Sequence, residues 1–345
     1  MIWIILPFVL LLLLYAAIGA VYFVAFYSPH KGQNDFYRLD GIAESPEEKE
    51  KMREMIRELE EKPFEPVEIL SHDGIMLRGR YSHARDGAPL DIGFHGYRGT
   101  PVRDFSGGAR LSFLWGHNLL LTEERAHGGS GGHTITMGIR EKYDLLDWLE
   151  YAEGRFGPDV KILLYGVSMG AATVLAAAGE KLPPTVRGII ADSPYSSPLA
   201  ILKKVATKDR RLPEKPAEWA LRLAARLFGG FSLTDEGAIG AVKRARVPIL
   251  LIHGEADSFV PPEMSRAIRD AGPERILLYT FPGARHGLSY ITDPGRYRKL
   301  VSGFAEMTLR DPAPKEEREE CSRAARPSPE KSEGSGSDLP GETTR

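Results

Sequence analysis

The chain has 345 residues, enough for one large domain with appendages. Lys and Arg number 45 against 47 Asp and Glu, so no basic excess exists to neutralise the phosphates of a nucleic acid. Apolar residues make up 42%, which excludes global disorder, and the single cysteine, Cys321, excludes intramolecular disulfides, zinc ribbons and iron–sulfur sites.

Residues 2 to 27 carry no charged side chain and include the unbroken run Leu10 to Leu14. At ~1.5 Å per residue, a helix of that length crosses a hydrocarbon core of roughly 30 Å. Trp3, Tyr22 and Tyr27 stand near its ends, where interfacial aromatics belong. A cleavable signal would need a basic start and a small-x-small exit; the first is absent, and Ala17 and Gly19 supply the second only weakly. Residues 1–28 are therefore expected to be a single-pass anchor in the cell membrane, with a buried core helix as the alternative. No basic residue precedes the segment, whereas Lys31, Arg38, Lys49, Lys51 and Arg53 follow it, so the rest of the chain is expected to be cytoplasmic.

Residues 29–65 read as a linker holding one amphipathic helix. Ser45 is suited to its N-cap, Pro46 to its first position and Glu48 to a capping box. Met52, Met55, Ile56 and Leu59 form an apolar face, expected to pack on the domain that follows, and Pro63 and Pro66 end the helix.

From 66 to 310 the pattern alternates strand and helix. Strands are predicted at Val67–Ser71, Met76–Ser82, Leu90–His95, Asn118–Thr122, Val160–Tyr165, Gly188–Ala191, Val247–His253 and Ile276–Phe281. The first two flank His72-Asp73-Gly74 and read as an antiparallel hairpin. The later ones are continuous apolar runs, as a parallel sheet covered on both faces requires. Helices are predicted at Arg140–Glu153, Ala171–Lys181 and Pro262–Asp270. This alternation implies right-handed crossovers and ligand binding at the carboxyl ends of the strands. Between about 195 and 246 the rhythm breaks, and Leu199–Val205 and Pro216–Phe228 read as helices of a small cap. Trp219, Leu221, Leu223, Leu227, Phe228 and Phe231 give that cap more apolar surface than one helix face needs. Residues 311–345 are rich in Pro, Ser, Gly, Glu and Arg, with Leu339 their only large aliphatic, and are expected to be a disordered tail.

The chemistry concentrates at Gly166-Val167-Ser168-Met169-Gly170, a G-x-S-x-G between a predicted strand and an alanine-rich helix. That context is what the motif needs if the serine is a nucleophile on a strained turn at a helix N-terminus. A serine hydroxyl needs a positioned base. In this strand–turn–helix setting the partners follow in the order serine, acid, histidine. Only His253 and His286 lie downstream of Ser168. His286 follows the last strand and is the expected base; His253 ends a strand and is the alternative. Asp257, in the loop after His253, is the expected acid, with Asp192 and Glu255 as rivals. The oxyanion hole is expected from the backbone N–H groups of Tyr97, in the loop after the third strand, and Met169, the residue after the serine. His95 is expected to be structural. His127 and His133 lack a nearby Asp or Cys to complete a metal site, and neither a metal nor a cofactor is expected.

His95-Gly96, Gly166-Val167-Ser168-Met169-Gly170, Gly254-Glu255-Ala256-Asp257 and Ala284-Arg285-His286-Gly287, in that order, resemble the α/β-hydrolase superfamily. The nearest likeness is to the serine aminopeptidase and monoacylglycerol-lipase-like group, in particular to bacterial members with an N-terminal membrane segment. Glu124-Arg125-Ala126-His127-Gly128-Gly129-Ser130 resembles their loop after the fourth strand, except that Glu123 stands where an aspartate is usual. The resemblance implies a mainly parallel twisted sheet flanked by helices, with the cap forming the acyl or leaving-group pocket. It also implies a serine hydrolase that cleaves carboxylic esters or amides through an acyl-enzyme. A peptidase activity, or a silent scaffold that binds a ligand or partner, is the alternative. Substrate identity, acyl length and oligomeric state are not legible in these motifs.

Overall fold

The computed structural model describes residues 2–29, 37, 39, 41–233, 237–272, 274 and 276–310, without the side chains of residues 2–4. The expected tail and its Cys321, and the basic residues Lys31 and Arg38, lie outside the described residues.

The apolar N-terminal run is one helix, α1 (Ile2–Ala25). From Ile5 to Tyr15 its large side chains are 42–63% exposed, so that half is largely uncovered apart from the Tyr15 ring on Phe228. The amphipathic helix α2 (Pro46–Glu60) begins with the expected capping box: Ser45 Oγ accepts from the Glu48 N–H at 3.1 Å, and Glu48 Oε2 accepts from the Ser45 N–H at 3.2 Å. Met52, Met55, Ile56 and Leu59 are all buried and join a cluster with Val102, Phe105 and Leu111. Burying each such side chain contributes roughly 1.5–3 kcal/mol, which is what holds this helix on the domain.

The domain is an eight-stranded sheet with helices on its faces. In chain order its elements are β1 (Glu65–Leu70), β2 (Met76–Ser82), β3 (Leu90–Phe94), α3 (Pro101–Phe105), α4 (Ala109–Trp115), β4 (Asn118–Glu123), α5 (Glu141–Phe156), β5 (Ile162–Val167) and α6 (Met169–Ala177). Then come β6 (Val186–Asp192), α7 (Pro198–Lys204) with a π-helical turn at Val205–Asp209, α8 (Glu214–Leu227) and α9 (Gly237–Val242). The chain continues through β7 (Ile249–Gly254), α10 (Glu263–Ala271), β8 (Ile276–Phe281), α11 (Ser289–Thr292) and α12 (Pro294–Leu309). The strand order is β1-β2-β4-β3-β5-β6-β7-β8. β1, β2 and β4 pair antiparallel in turn, and every later pair is parallel. This is the α/β-hydrolase architecture.

All eight predicted strands form. The main shift is at β5, which runs two residues later than expected, so Gly166 and Val167 belong to the strand and the following helix starts immediately at Met169. The turn between them is a single residue, Ser168. At the far edge of the sheet, β8 departs from the expectation of a fully covered strand: Leu277 is 42% exposed. In the cap region, α7 and its π-helical turn pack on α8, and α8 packs on α1, whereas α9 packs on α6 and α10. Of the apolar residues expected there, Leu221 and Phe231 are buried, and Trp219 and Leu227 are about half exposed.

Candidate active site

The strand-to-turn-to-helix passage at Ser168 leaves room for nothing larger than glycine on either side. A Cβ on Gly170 would lie 1.8 Å from the Phe94 carbonyl oxygen, and one on Gly166 would lie 2.3 Å from the Gly170 carbonyl oxygen. Ser168 itself takes φ 55° and ψ −111°, a backbone region that costs a non-glycine residue ~1–3 kcal/mol and is held by its surroundings. Its N–H donates to the Asp192 carbonyl at 2.8 Å, tying the turn to the end of β6. The result is a largely buried hydroxyl at the N-terminus of α6.

His286, in the loop after β8, brings Nε2 to 2.8 Å from Ser168 Oγ. Its Nδ1 lies 2.6 Å from Asp257 Oδ2, so Nδ1 carries the proton and Nε2 is left to accept from the serine. The Phe259 ring meets the imidazole edge-on, with centroids 5.1 Å apart. Asp257 is buried, which by itself favours its neutral form. Hydrogen bonds from His253, His286 and the Val260 N–H outweigh that and hold its carboxyl well below the usual carboxylate range. Sequence reasoning brought together Ser168, His286 and Asp257, and these three are in contact.

The rivals lie elsewhere. His253 sits behind Asp257: its Nδ1 meets Ser265 Oγ at 2.6 Å, and its Nε2 meets the Val260 carbonyl at 2.8 Å and Asp257 Oδ2 at 3.2 Å. It is a support for Asp257, a role that its position four residues upstream hinted at. Asp192 accepts from Tyr297 Oη at 3.0 Å and from Ser193 Oγ at 3.0 Å. Burial pushes its carboxyl up to about 6. Glu255 faces outward and accepts from Thr280 Oγ1.

On the other side of the serine, the loop after β3 presents the Tyr97 N–H, and α6 presents the Met169 N–H. Among the described residues neither is committed to another acceptor, which suits them to a developing oxyanion. The neighbours that shape this loop are all satisfied. The Gly96 N–H donates to Asp104 Oδ2 at 2.8 Å, and the Arg98 N–H donates to His127 Nε2 at 2.9 Å. His95 is fully buried between the Gly96 carbonyl and the Glu124 N–H, and burial lowers its pKa, so it is neutral and structural. His127 and Asp104 are thus loop-positioning residues; nothing in their spacing announced it. His133 bonds instead to the Ser28 carbonyl. In the loop after β4, Arg125 is almost fully buried and joins Asp144 at 2.5 Å and Asp73 at 2.9 Å. Glu123, the departure from the usual aspartate, accepts from the Gly129 N–H at 2.6 Å.

The second half of α1 is built into this site. The Phe26 ring is fully buried and edge-on to Phe231, and Tyr22 Oη meets Thr134 Oγ1 at 2.7 Å. Tyr97 Oη donates to the Ala25 carbonyl at 3.0 Å, and the Arg98 guanidinium donates to the Val24 and Tyr27 carbonyls at 3.0 and 3.1 Å. These satisfy carbonyls that the end of a helix otherwise leaves unpaired.

Residues 134–310, just over half of the chain, match the prolyl oligopeptidase family. Among curated relatives, the chain is 28% identical over 193 residues to the uncharacterized protein YqkD of Bacillus subtilis, covering 55% of this chain and only 63% of that relative's length. It is 24% identical over 255 residues to the uncharacterized protein YfhR of Escherichia coli O157:H7, covering 71% and 81%. Among solved structures, the esterase Pf2001 of Pyrococcus furiosus superposes with a TM-score of 0.60 at 22% identity, over 74% of this chain and 96% of that one. Est1E of Butyrivibrio proteoclasticus, solved with ferulic acid bound, gives 0.56 at 21% identity, over 70% and 99%. The chain belongs to the prolyl oligopeptidase family, within the α/β-hydrolase superfamily.

Proposed function

We propose that this chain is a membrane-anchored serine esterase that works through an acyl-enzyme. The observation that carries the reading is the unbroken chain of contacts from Ser168 Oγ through His286 to Asp257, at 2.8 and 2.6 Å, beside two uncommitted N–H groups. Ser168 Oγ attacks the ester carbonyl carbon as its proton passes to His286 Nε2. The carbonyl oxygen takes up the negative charge and is held by the Tyr97 and Met169 N–H groups. When the C–O bond breaks, the leaving alcohol takes the proton from Nε2. Water then attacks the acyl-enzyme, giving its proton to the same nitrogen; the bond from the acyl carbon to Ser168 Oγ breaks, Oγ takes that proton back, and the carboxylic acid leaves as the second product. Asp257 stays ionised throughout and balances the imidazolium.

Esters are preferred over amides because the larger cavity beside Ser168 is apolar, and the names of the esterases it superposes on point the same way. The family match favours a second reading, hydrolysis of a peptide or amide. The anchor reading is supported by α1, the one helix among the described residues long and apolar enough to span a bilayer. Its second half holds contacts to the oxyanion loop that cleavage as a signal would destroy. We propose residues 1–28 as anchor, 29–65 as linker with α2, and 66–310 as the catalytic domain, cytoplasmic by the excess of basic residues after the span.

The test is the purified full chain in detergent. A fluorophosphonate should label the wild type and not Ser168→Ala, and p-nitrophenyl butyrate hydrolysis should be lost in that variant. A family of aminoacyl p-nitroanilides, turned over faster than the ester, would move the assignment to a peptidase. Ester hydrolysis surviving in folded Ser168→Ala would overturn the covalent mechanism.

A further inference from the structure

Two cavities meet at Ser168, and they differ in chemistry. One, of about 320 Å³, lies towards α2 and mixes apolar Met52, Met55 and Ile291 with the Arg103–Asp104 pair, Asp192 and Tyr297. The other, of about 480 Å³, lies between α1 and the cap. Its walls are Ala20, Val21, Val24 and Ala25 of α1 facing apolar residues of α7, the π-helical turn and α8, such as Ile201 and Leu221. Only Arg98 and Arg210 bring charge to it, and the Arg98 guanidinium is occupied by the Val24 and Tyr27 carbonyls. Ser168, Tyr97, Arg98 and Phe259 line both. A substrate whose carbonyl sits at Ser168 thus has a nearly wholly apolar arm on the α1 side and a mixed arm, with charged and hydroxyl groups, on the α2 side.

The apolar wall is fixed firmly. Phe228 of the cap packs against Tyr15 and Tyr22, with ring centroids 5.0 and 5.8 Å away, and closes α1 onto α8. Tyr97 joins the wall to the chemistry, since its hydroxyl holds the Ala25 carbonyl and it lines both cavities beside Ser168. The same helix continues outward as the exposed apolar run Ile5 to Tyr15. An acyl chain leaving a bilayer through water would expose each methylene, which is unfavourable in proportion to its apolar area. A chain sliding along α1 exposes none.

We propose that the last two turns of the membrane helix form one wall of the acyl pocket, and that the substrate is a single-chain acyl ester with a small polar head, taken directly from the bilayer. The volume suits one chain, at the lower part of the range for ligand sites. The inference rests on Ser168 as nucleophile and on α1 as a retained anchor.

The test uses the full chain in phosphatidylcholine vesicles. The wild type should prefer p-nitrophenyl palmitate to p-nitrophenyl acetate. Ala20→Trp and Val24→Trp change exposed wall positions, so folding is spared while the pocket fills. Each should lower the palmitate-to-acetate ratio of kcat/KM by at least about tenfold. Leu12→Trp, on the same helix outside the pocket, should keep the wild-type ratio. A palmitoyl monoester of glycerol should be cleaved when it shares the enzyme's vesicles and spared when confined to separate ones. An unchanged palmitate-to-acetate ratio in both wall variants, or a wild-type preference for acetate, would overturn the pocket assignment; equal rates from shared and separate vesicles would overturn the bilayer route. Loss of wild-type labelling, by contrast, would strike the nucleophile reading and not the wall.

Discussion

Replacing Asp257 by asparagine exchanges one oxygen for an NH₂ group and should nearly silence the enzyme. Oδ1 accepts from the Phe259 and Val260 N–H groups at 3.0 and 2.7 Å, and a side-chain amide oxygen keeps both bonds. The NH₂ group must then take the place of Oδ2, facing His286 Nδ1 at 2.6 Å and His253 Nε2 at 3.2 Å. Facing a donor, Nδ1 gives up its proton, which moves to Nε2, and Nε2 can no longer accept from Ser168. The wrong tautomer of a serine-activating histidine costs on the order of 10⁴ in kcat, or ~5 kcal/mol at 1.36 kcal/mol per tenfold. The assay is kcat for p-nitrophenyl butyrate, with unfolding by urea followed in parallel to separate lost chemistry from lost fold. Asp192→Asn, measured beside it, should keep most activity because Asp192 bonds Tyr297 and Ser193 and not His286. An Asp257→Asn variant within tenfold of wild type, or an Asp192→Asn variant as poor as expected for Asp257→Asn, would refute this account.

Three further outcomes follow from the geometry. Gly170→Ala puts a methyl 1.8 Å from the Phe94 carbonyl oxygen, so the variant should give little folded protein, judged by soluble yield and circular dichroism. Arg125→Met leaves Asp144 buried without its cation and should lower unfolding free energy by ~3–5 kcal/mol in urea titrations; a loss below 1 kcal/mol would show that Asp144 finds another partner. Asp192, pushed up by burial to about 6, binds its proton more tightly folded than unfolded, where about 3.9 is ordinary. Its contribution to stability is therefore full below about pH 4 and lost as pH rises to about 6. Asp192→Asn should flatten that part of the stability-against-pH curve, and an unchanged slope between pH 4 and 6 would contradict it.

Much of the site was legible before any coordinates. The G-x-S-x-G was readable because the constraint is local: only glycine tolerates carbonyl oxygens within about 2.3 Å of where a Cβ would sit, as at Gly166 and Gly170. The strands were readable because burial on both faces demands unbroken apolar runs, as in Ile249–Gly254. The capping box of α2 was readable because its two hydrogen bonds join residues three apart. The supporting residues were harder. Asp104 and His127 shape the oxyanion loop through bonds that cross 8 and 29 residues, and their types alone occur in many surface settings.

The sequence by itself determined the order of strands and helices, the glycine-flanked turn at Ser168, the shortlist of candidate bases and acids, and a helix apolar enough to span a bilayer, because each is written in short-range pattern or composition. Only the tertiary structure decided that His286 leans on Asp257 rather than Asp192, since the partners lie 29 and 118 residues apart along the chain and meet through the parallel sheet. It alone decided, too, which end of α1 joins the domain. A helix apolar on every side carries no signal for the face it packs, and that choice is made by Phe228, Phe231, Tyr97 and Arg98, which reach it from elements far along the chain.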